Sequence, residues 1–152
     1  EVETPRQPDL WVVDSRLETP LDAALWSVPR RLFLVHAERN AEREAALRHQ
    51  GATLLALPNP QGKVDLPALV AQLGQAPYNE VHIEAGEKLN GSLLQAGLVD
   101  ELLVYQAPWL TGPGQGLAAL PPRLDLQGLT RWRFHEVQAV GDDLRLRLRR
   151  AS

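Results

Sequence analysis

Apolar residues fall into short blocks along the chain. Residues 10–14 (Leu-Trp-Val-Val-Asp), 32–36 (Leu-Phe-Leu-Val-His) and 53–57 (Thr-Leu-Leu-Ala-Leu) are nearly continuous apolar runs of strand length. A strand covered on both faces has no solvent side to mark with polar residues, so such runs predict buried parallel strands. Residues 18–22 (Glu-Thr-Pro-Leu-Asp) predict a loop after the first run. Residues 38–50 are dense in helix formers, and Gly51 supplies a stop. Residues 58–62 (Pro-Asn-Pro-Gln-Gly) predict a turn-rich loop. Asp65 is suited to cap a helix over 66–74, whose Leu66, Leu69, Val70 and Leu73 form one stripe.

Beyond that helix, 80–84 (Glu-Val-His-Ile-Glu) predicts a strand, 89–96 a short helix stopped by Gly97, and 101–108 another strand. The end of the chain changes period. In 143–150, Leu144, Leu146 and Leu148 alternate strictly with Arg145, Arg147 and Arg149, and Val140-Gly141-Asp142 separates this segment from 131–139. Period-two alternation beside a Gly-Asp turn predicts an antiparallel hairpin. Alternating strands and helices followed by a hairpin predict an α/β fold. Its sheet would be mixed, mainly parallel with a C-terminal antiparallel hairpin, and would carry helices on both faces.

Composition narrows the chemistry. The 152 residues suit one domain, and 44% hydrophobic with 23% charged residues is ordinary for a packed globule. Sixteen Lys and Arg against 19 Asp and Glu leave a net charge of −3. Nucleic-acid and anionic-membrane binders need a basic face, so neither partner is expected. The absence of Cys removes disulfides, thiolate catalysis and thiolate metal sites. The four His (His36, His49, His82, His135) are scattered without a His-x-x-x-His pair, so no zinc site is expected. No apolar run approaches the roughly 20 residues of a membrane span, and the N-terminus resembles neither a signal nor a transit peptide. The expected location is the cytoplasm. The chain contains no Met and no initiator, so it reads as the tail of a longer polypeptide.

The chemistry-bearing stretch is Glu84-Ala85-Gly86-Glu87-Lys88-Leu89-Asn90-Gly91-Ser92, which joins a predicted strand to a predicted helix. Ligands of open α/β sheets bind where strands end and helix N-termini begin, because unpaired N–H groups point outward there. Gly86 and Gly91 would admit an anion close to the backbone, or would merely permit a tight turn; spacing alone leaves both open. Glu84 is either a ligand contact or a partner of local N–H groups. Lys88 by itself is an ordinary solvated loop cation. Two phosphate motifs fail. Ser92 stands where the loop of nucleotide hydrolases requires Lys, and no Gly-x-Gly-x-x-Gly follows the first strand.

Residues 83–112, with Ile-Glu-Ala-Gly, then Ala-Gly-Leu-Val-Asp-Glu, then Ala-Pro-Trp-Leu-Thr-Gly, resemble a known block. They are similar to the C-terminal reductase domain of the bifunctional deaminase–reductase of riboflavin biosynthesis. Val13-Asp14-Ser15-Arg16 with Pro20-Leu21 matches that family's earlier strand and loop, and the hairpin at Val140-Gly141-Asp142-Asp143 fits as well.

The resemblance implies a fold like dihydrofolate reductase. It implies NADPH-dependent reduction of a small-molecule substrate, 5-amino-6-(5-phosphoribosylamino)uracil, to its ribitylamino product. By motif position, Gly86, Glu87, Lys88, Leu89, Asn90, Gly91 and Ser92 would cradle the cofactor phosphates, Ser15 would also contact NADPH, and Glu84 would contact the substrate. No metal is implied, and no residue is singled out as catalytic. The chain departs from the family by carrying Glu87-Lys88 where Pro-Thr is usual; a carboxylate near phosphate is unfavourable, and Lys88 would offset it.

The resemblance also makes residues 1–152 a single, partial reductase domain. It would lack the zinc deaminase half and the N-terminal part of the reductase, and so could fold without being active alone. A missing strand would bare a sheet edge or apolar surface, so a homo-oligomer is expected. The alternative is a non-catalytic nucleotide-binding or assembly module. The Arg row at 145, 147, 149 and 150 is expected to be a solvated face. Trp26, Trp109 and Trp132 are expected to pack, and His82 to be a core histidine.

Overall fold

A computed structural model describes residues 7–122 and 129–151. It divides the chain into two compact units, one ending at Asn79 and the other beginning at Glu80. The first unit contains β1 (Leu10–Val13), a 3-10 turn at Ala24–Ser27, β2 (Leu32–His36), α1 (Ala41–His49), β3 (Thr53–Ala56) and α2 (Leu66–Gln75). Its three strands are parallel in the order β1-β2-β3.

Both faces of this sheet are covered, which explains the unbroken apolar runs. Leu10, Val12, Leu32, Leu34 and Leu54 pack with Leu17, Ala52 and the α1 residue Leu47. The alternate positions Trp11, Val13, Val35 and Leu55 pack with Leu69 and Leu73 of α2 and with Val64. Trp11 and Phe33, partners in the β1–β2 register, stack with centroids 4.2 Å apart. Both helices have the caps that the sequence requires. The Asn40 side chain accepts from the Arg43 N–H at 3.0 Å, and that of Asp65 accepts from the Ala68 N–H at 2.9 Å.

The second unit contains α3 (Glu87–Gln95), β4 (Glu101–Gln106), β5 (Trp132–Val140) and β6 (Asp143–Arg150). The hairpin β5–β6 turns at Gly141, whose φ of 62° favours glycine, and β6 lies between β4 and β5 with both ladders antiparallel. A bulge between Phe134 and Glu136 keeps apolar residues on one face and charged residues on the other across the break.

The mixed α/β class is therefore observed, with parallel strands first, an antiparallel hairpin last and helices on both faces of the parallel sheet. The strands are shared between two sheets, and β4 pairs antiparallel with β6. Several local expectations are corrected. Residues 80–84 form no ladder among the described residues, and Val81 and Ile83 are exposed. A strand needs a neighbouring edge for its N–H and C=O groups, and alternation alone does not supply one. His82 is consequently an exposed residue 3.5 Å from Glu84, and not a core histidine. Trp109 is 78% exposed, whereas Trp26 packs against the first core and donates its indole N–H to the Pro20 carbonyl at 2.7 Å.

The arginine row is not simply solvated. Arg147 donates from Nε to Glu101 at 2.9 Å and reaches Glu136 at 3.3 Å. Arg145 bonds Glu136, Arg149 bonds Glu101, and Arg150 bonds the Gly97 carbonyl. Hydrogen bonds from these arginines hold the Glu101 and Glu136 carboxyls below the usual range.

Candidate functional site

In the first unit the carboxyl ends of the strands are organised around Ser15. Asp14 donates its N–H to the Val35 carbonyl at 2.9 Å, continuing the β1–β2 ladder one residue past β1. The Ser15 carbonyl then accepts from the N–H groups of Ala37 (3.0 Å) and Glu38 (2.9 Å), just beyond β2. Its Oγ accepts from the Val64 N–H at 3.2 Å. Among the described residues the Ser15 hydroxyl proton meets no acceptor, so the side chain keeps a donor for a ligand.

The turn after Ser15 is tightly held. The Asp14 carboxylate accepts from the Glu18 N–H (2.9 Å), the Thr19 N–H (2.8 Å) and the Thr19 hydroxyl (2.6 Å). Burial pushes the Asp14 carboxyl up, but the Thr19 hydroxyl and the backbone N–H groups outweigh it and hold it below its ordinary value. Leu17 has φ of 59°, rare for a residue with a Cβ, and its side chain is only 2% exposed.

In the second unit the stretch that the sequence assigns to a turn is mostly helix. The helix begins at Glu87, two residues before the expected start, with Gly86 as its N-cap. Asn90 makes the first intrahelical bond, donating its N–H to the Gly86 carbonyl at 3.1 Å. The N–H groups of Glu87, Lys88 and Leu89 therefore lie outside the helix ladder, and Gly86 offers no side chain to cap them. The helix dipole adds partial positive charge at the same end.

The two glycines do different work. Gly86 has an ordinary φ of −74°, and a Cβ built on it would meet no atom within 4 Å. Neither conformation nor protein packing requires glycine there. Gly91 is buried, and a Cβ would lie 2.2 Å from the Ala119 carbonyl oxygen. It is the close approach of segment 116–119 to α3 that requires glycine at 91. Asn90 Nδ2 donates to the carbonyls of Ala85 and Leu117, both at 3.0 Å. The Glu87 carboxylate accepts from the Gly116 N–H at 3.2 Å, and its carbonyl accepts from the Ala119 N–H at 2.8 Å. The Ser92 hydroxyl donates to the Lys88 carbonyl at 3.0 Å.

Lys88 is exposed and Leu89 half-buried. Glu84 precedes the helix, with its side chain 87% exposed and facing His82. Ser15 thus belongs to the first unit, and Glu84 and Gly86–Ser92 to the second. Sequence reasoning missed Arg43, which reaches the Ser15 turn from α1, and the 116–119 strap on α3. A lone Arg in a charged helix and a Gly-Leu-Ala-Ala loop segment carry no signal that would single them out.

Comparison with known proteins agrees with this architecture. The family model of the RibD C-terminal domain matches residues 1–146. The riboflavin biosynthesis protein RibD of Escherichia coli is 39% identical over 145 residues, which cover 94% of this chain and 38% of that protein. The 5-amino-6-(5-phosphoribosylamino)uracil reductase of Buchnera aphidicola is 36% identical over 85 residues, 55% of this chain and 41% of that one. Among solved structures, RibD of Acinetobacter baumannii superposes with a TM-score of 0.71 at 26% identity, covering 93% of this chain and 37% of the other. The chain spans about two fifths of the length of these relatives. It belongs to the RibD C-terminal domain family.

Proposed function

We propose that the chain carries the reductase chemistry of riboflavin biosynthesis, the NADPH-dependent reduction of 5-amino-6-(5-phosphoribosylamino)uracil to the ribitylamino product. Support comes from family membership and from the name of the Buchnera relative. The observation that carries the cofactor assignment is the α3 N-terminus. Its first-turn N–H groups lack a side-chain cap, and the space a Cβ would fill at Gly86 is open. This is the arrangement a diphosphate needs, since only a glycine lets the backbone come that close.

The residues present fit such a group. The N–H groups of Glu87, Lys88 and Leu89 would donate to phosphate oxygens, and Lys88, exposed beside them, would add positive charge. The Glu87 carboxylate is engaged by the Gly116 N–H, which draws it away from the role of a free anion. Of the rest of the assigned stretch, Asn90 and Gly91 support the site by fixing the 116–119 strap to α3. The Ser15 hydroxyl would donate a hydrogen bond to the cofactor. NADPH, when bound, supplies the hydride for C1 of the opened sugar. The protein's share is orientation and exclusion of water. Glu84, exposed and able only to accept when ionised, would take hydrogen bonds from substrate hydroxyl or N–H groups.

Glu84→Ala tests the division of labour. Loss of a charge-assisted hydrogen bond should lower turnover by roughly tenfold to a hundredfold. NADPH affinity by calorimetry should stay within about twofold, because contacts that share no partner act independently. Equal losses in both would refute the assignment. NADPH binding without any turnover of the uracil substrate by the unmodified chain would favour the nucleotide-binding module.

A further inference from the structure

We infer that Arg43 is a positioning residue for the cofactor contact at Ser15, acting through the backbone of the Ser15–Thr19 turn. The inference rests on the assignment of Ser15 to NADPH made above. Four observations converge on it. Leu17 sits in the left-handed region with a buried side chain, so the turn occupies a sparsely populated conformation and must be held there by its surroundings. Arg43, from α1, donates through Nε to the Leu17 carbonyl at 2.8 Å and through Nη2 to the Thr19 carbonyl. The Asn40 cap fixes the Arg43 backbone at the helix start, so the guanidinium is aimed from a rigid element. Asp14 holds the same turn through the N–H groups of Glu18 and Thr19.

These contacts divide the turn's polar groups between them. Asp14 takes the donors and Arg43 takes the acceptors, so the turn is held by one anion and one cation of the protein. The planar fork of guanidinium suits two carbonyls at once, which a lysine ammonium cannot match. Ser15, at the start of the turn, has its carbonyl and Oγ already bonded within the first unit. Its remaining freedom is the direction of the hydroxyl proton and the small backbone rotations that the turn permits. Releasing Leu17 from the left-handed region would let Ser15 rotate away from the direction that a ligand requires.

A double-mutant cycle with Ser15 separates positioning from mere support of the fold. NADPH affinity is measured by fluorescence titration on the full chain for Arg43→Met, Arg43→Lys, Ser15→Ala and the Arg43→Met/Ser15→Ala pair, with thermal melts on each. Arg43→Met should weaken NADPH binding by roughly tenfold, the scale of a charge-assisted hydrogen bond. Arg43→Lys should recover part of that loss, and the double variant should bind about as weakly as the weaker single one, because the two residues act through one contact. Losses that multiply in the double variant would overturn the proposal, as would an Arg43→Met protein that melts earlier yet binds NADPH normally. If Arg43→Met does not fold, the cycle is run with Arg43→Lys under the same criteria. Gly86→Val serves as the separate probe of the cofactor site. If it weakens NADPH while Arg43→Met does not, the Arg43 role fails and the site stands. If neither Gly86→Val nor Ser15→Ala changes binding, the site assignment fails and the Arg43 role falls with it.

Discussion

Gly86 and Gly91 look alike in the sequence, since the two bracket the turn expected after residues 80–84. Their environments separate them. A methyl group at 91 would strike the backbone of Ala119, whereas one at 86 would strike nothing. Gly91→Ala should therefore destabilise the chain by roughly 1–3 kcal/mol, the usual scale of overpacking against groups that cannot move aside. Gly86→Ala should cost about 1 kcal/mol or less, the difference between these residues at an N-cap. Denaturant titration of the two variants checks the order; equal costs would mean that the strap at 116–119 does not press on α3. The sequence shows two glycines, but which one meets protein and which one meets open space is a property of a contact 28 positions away, Gly91 with Ala119. Asp14 illustrates the converse. Its place in an Asp-Ser-x-x-x-x-Pro pattern is legible by resemblance, and the structure adds its role, accepting from the Glu18 and Thr19 N–H groups.

At the scale of elements, the parallel strands β1, β2 and β3 are legible because both faces are covered and the apolar runs are unbroken. The helix α2 is legible from its cap and stripe. Helix α1 is legible from its run of helix formers and the Gly51 stop, although it buries only Glu44 and Leu47. Its attachment to the sheet depends on Leu47, which is fully buried among Leu17, Leu32, Leu34 and Ala52. Leu47→Ala should cost about 2–5 kcal/mol through lost burial and the cavity left behind. Chemical denaturation checks this, and a cost below about 1 kcal/mol, the range of surface substitutions, would show that α1 is held by other contacts. The register of β6 follows from its alternation. A slip of one residue would turn Leu144, Leu146 and Leu148 to the face where Glu101 and Glu136 wait for arginines. The segment 80–84 was not legible, because period-two alternation states a preference for a strand and says nothing about whether an edge is there to receive it. Helix α3 starts earlier than its apolar pattern suggests because Gly86 and Glu87 form an N-terminus without any apolar residue to announce it.

At the scale of the whole molecule, the second unit carries an apolar sheet face of its own. Phe134 is 65% exposed, Val137 57% and Leu144 43%, and the β5–β6 register puts them on one side, with Leu146 and Leu148. Contiguous exposed apolar surface of this kind favours association. The homo-oligomer expected from the sequence is thus proposed to use this face. Sedimentation should find the chain above monomer mass at high concentration, and Phe134→Ser should shift it toward monomer. A monomer at every concentration would contradict this. Among the described residues no helix is long and apolar enough to cross a membrane. Family membership and the fold of RibD relatives frame the proposal, and the proposed reductase chemistry depends on whether the bare helix end before Glu87 receives a cofactor's phosphates. The most direct measurement is a backbone amide spectrum of the isotopically labelled chain, recorded during titration with NADPH. The account predicts that the Glu87, Lys88 and Leu89 amides shift most, joined by Ser15. Saturable shifts confined to other residues, with these amides unmoved, would contradict it.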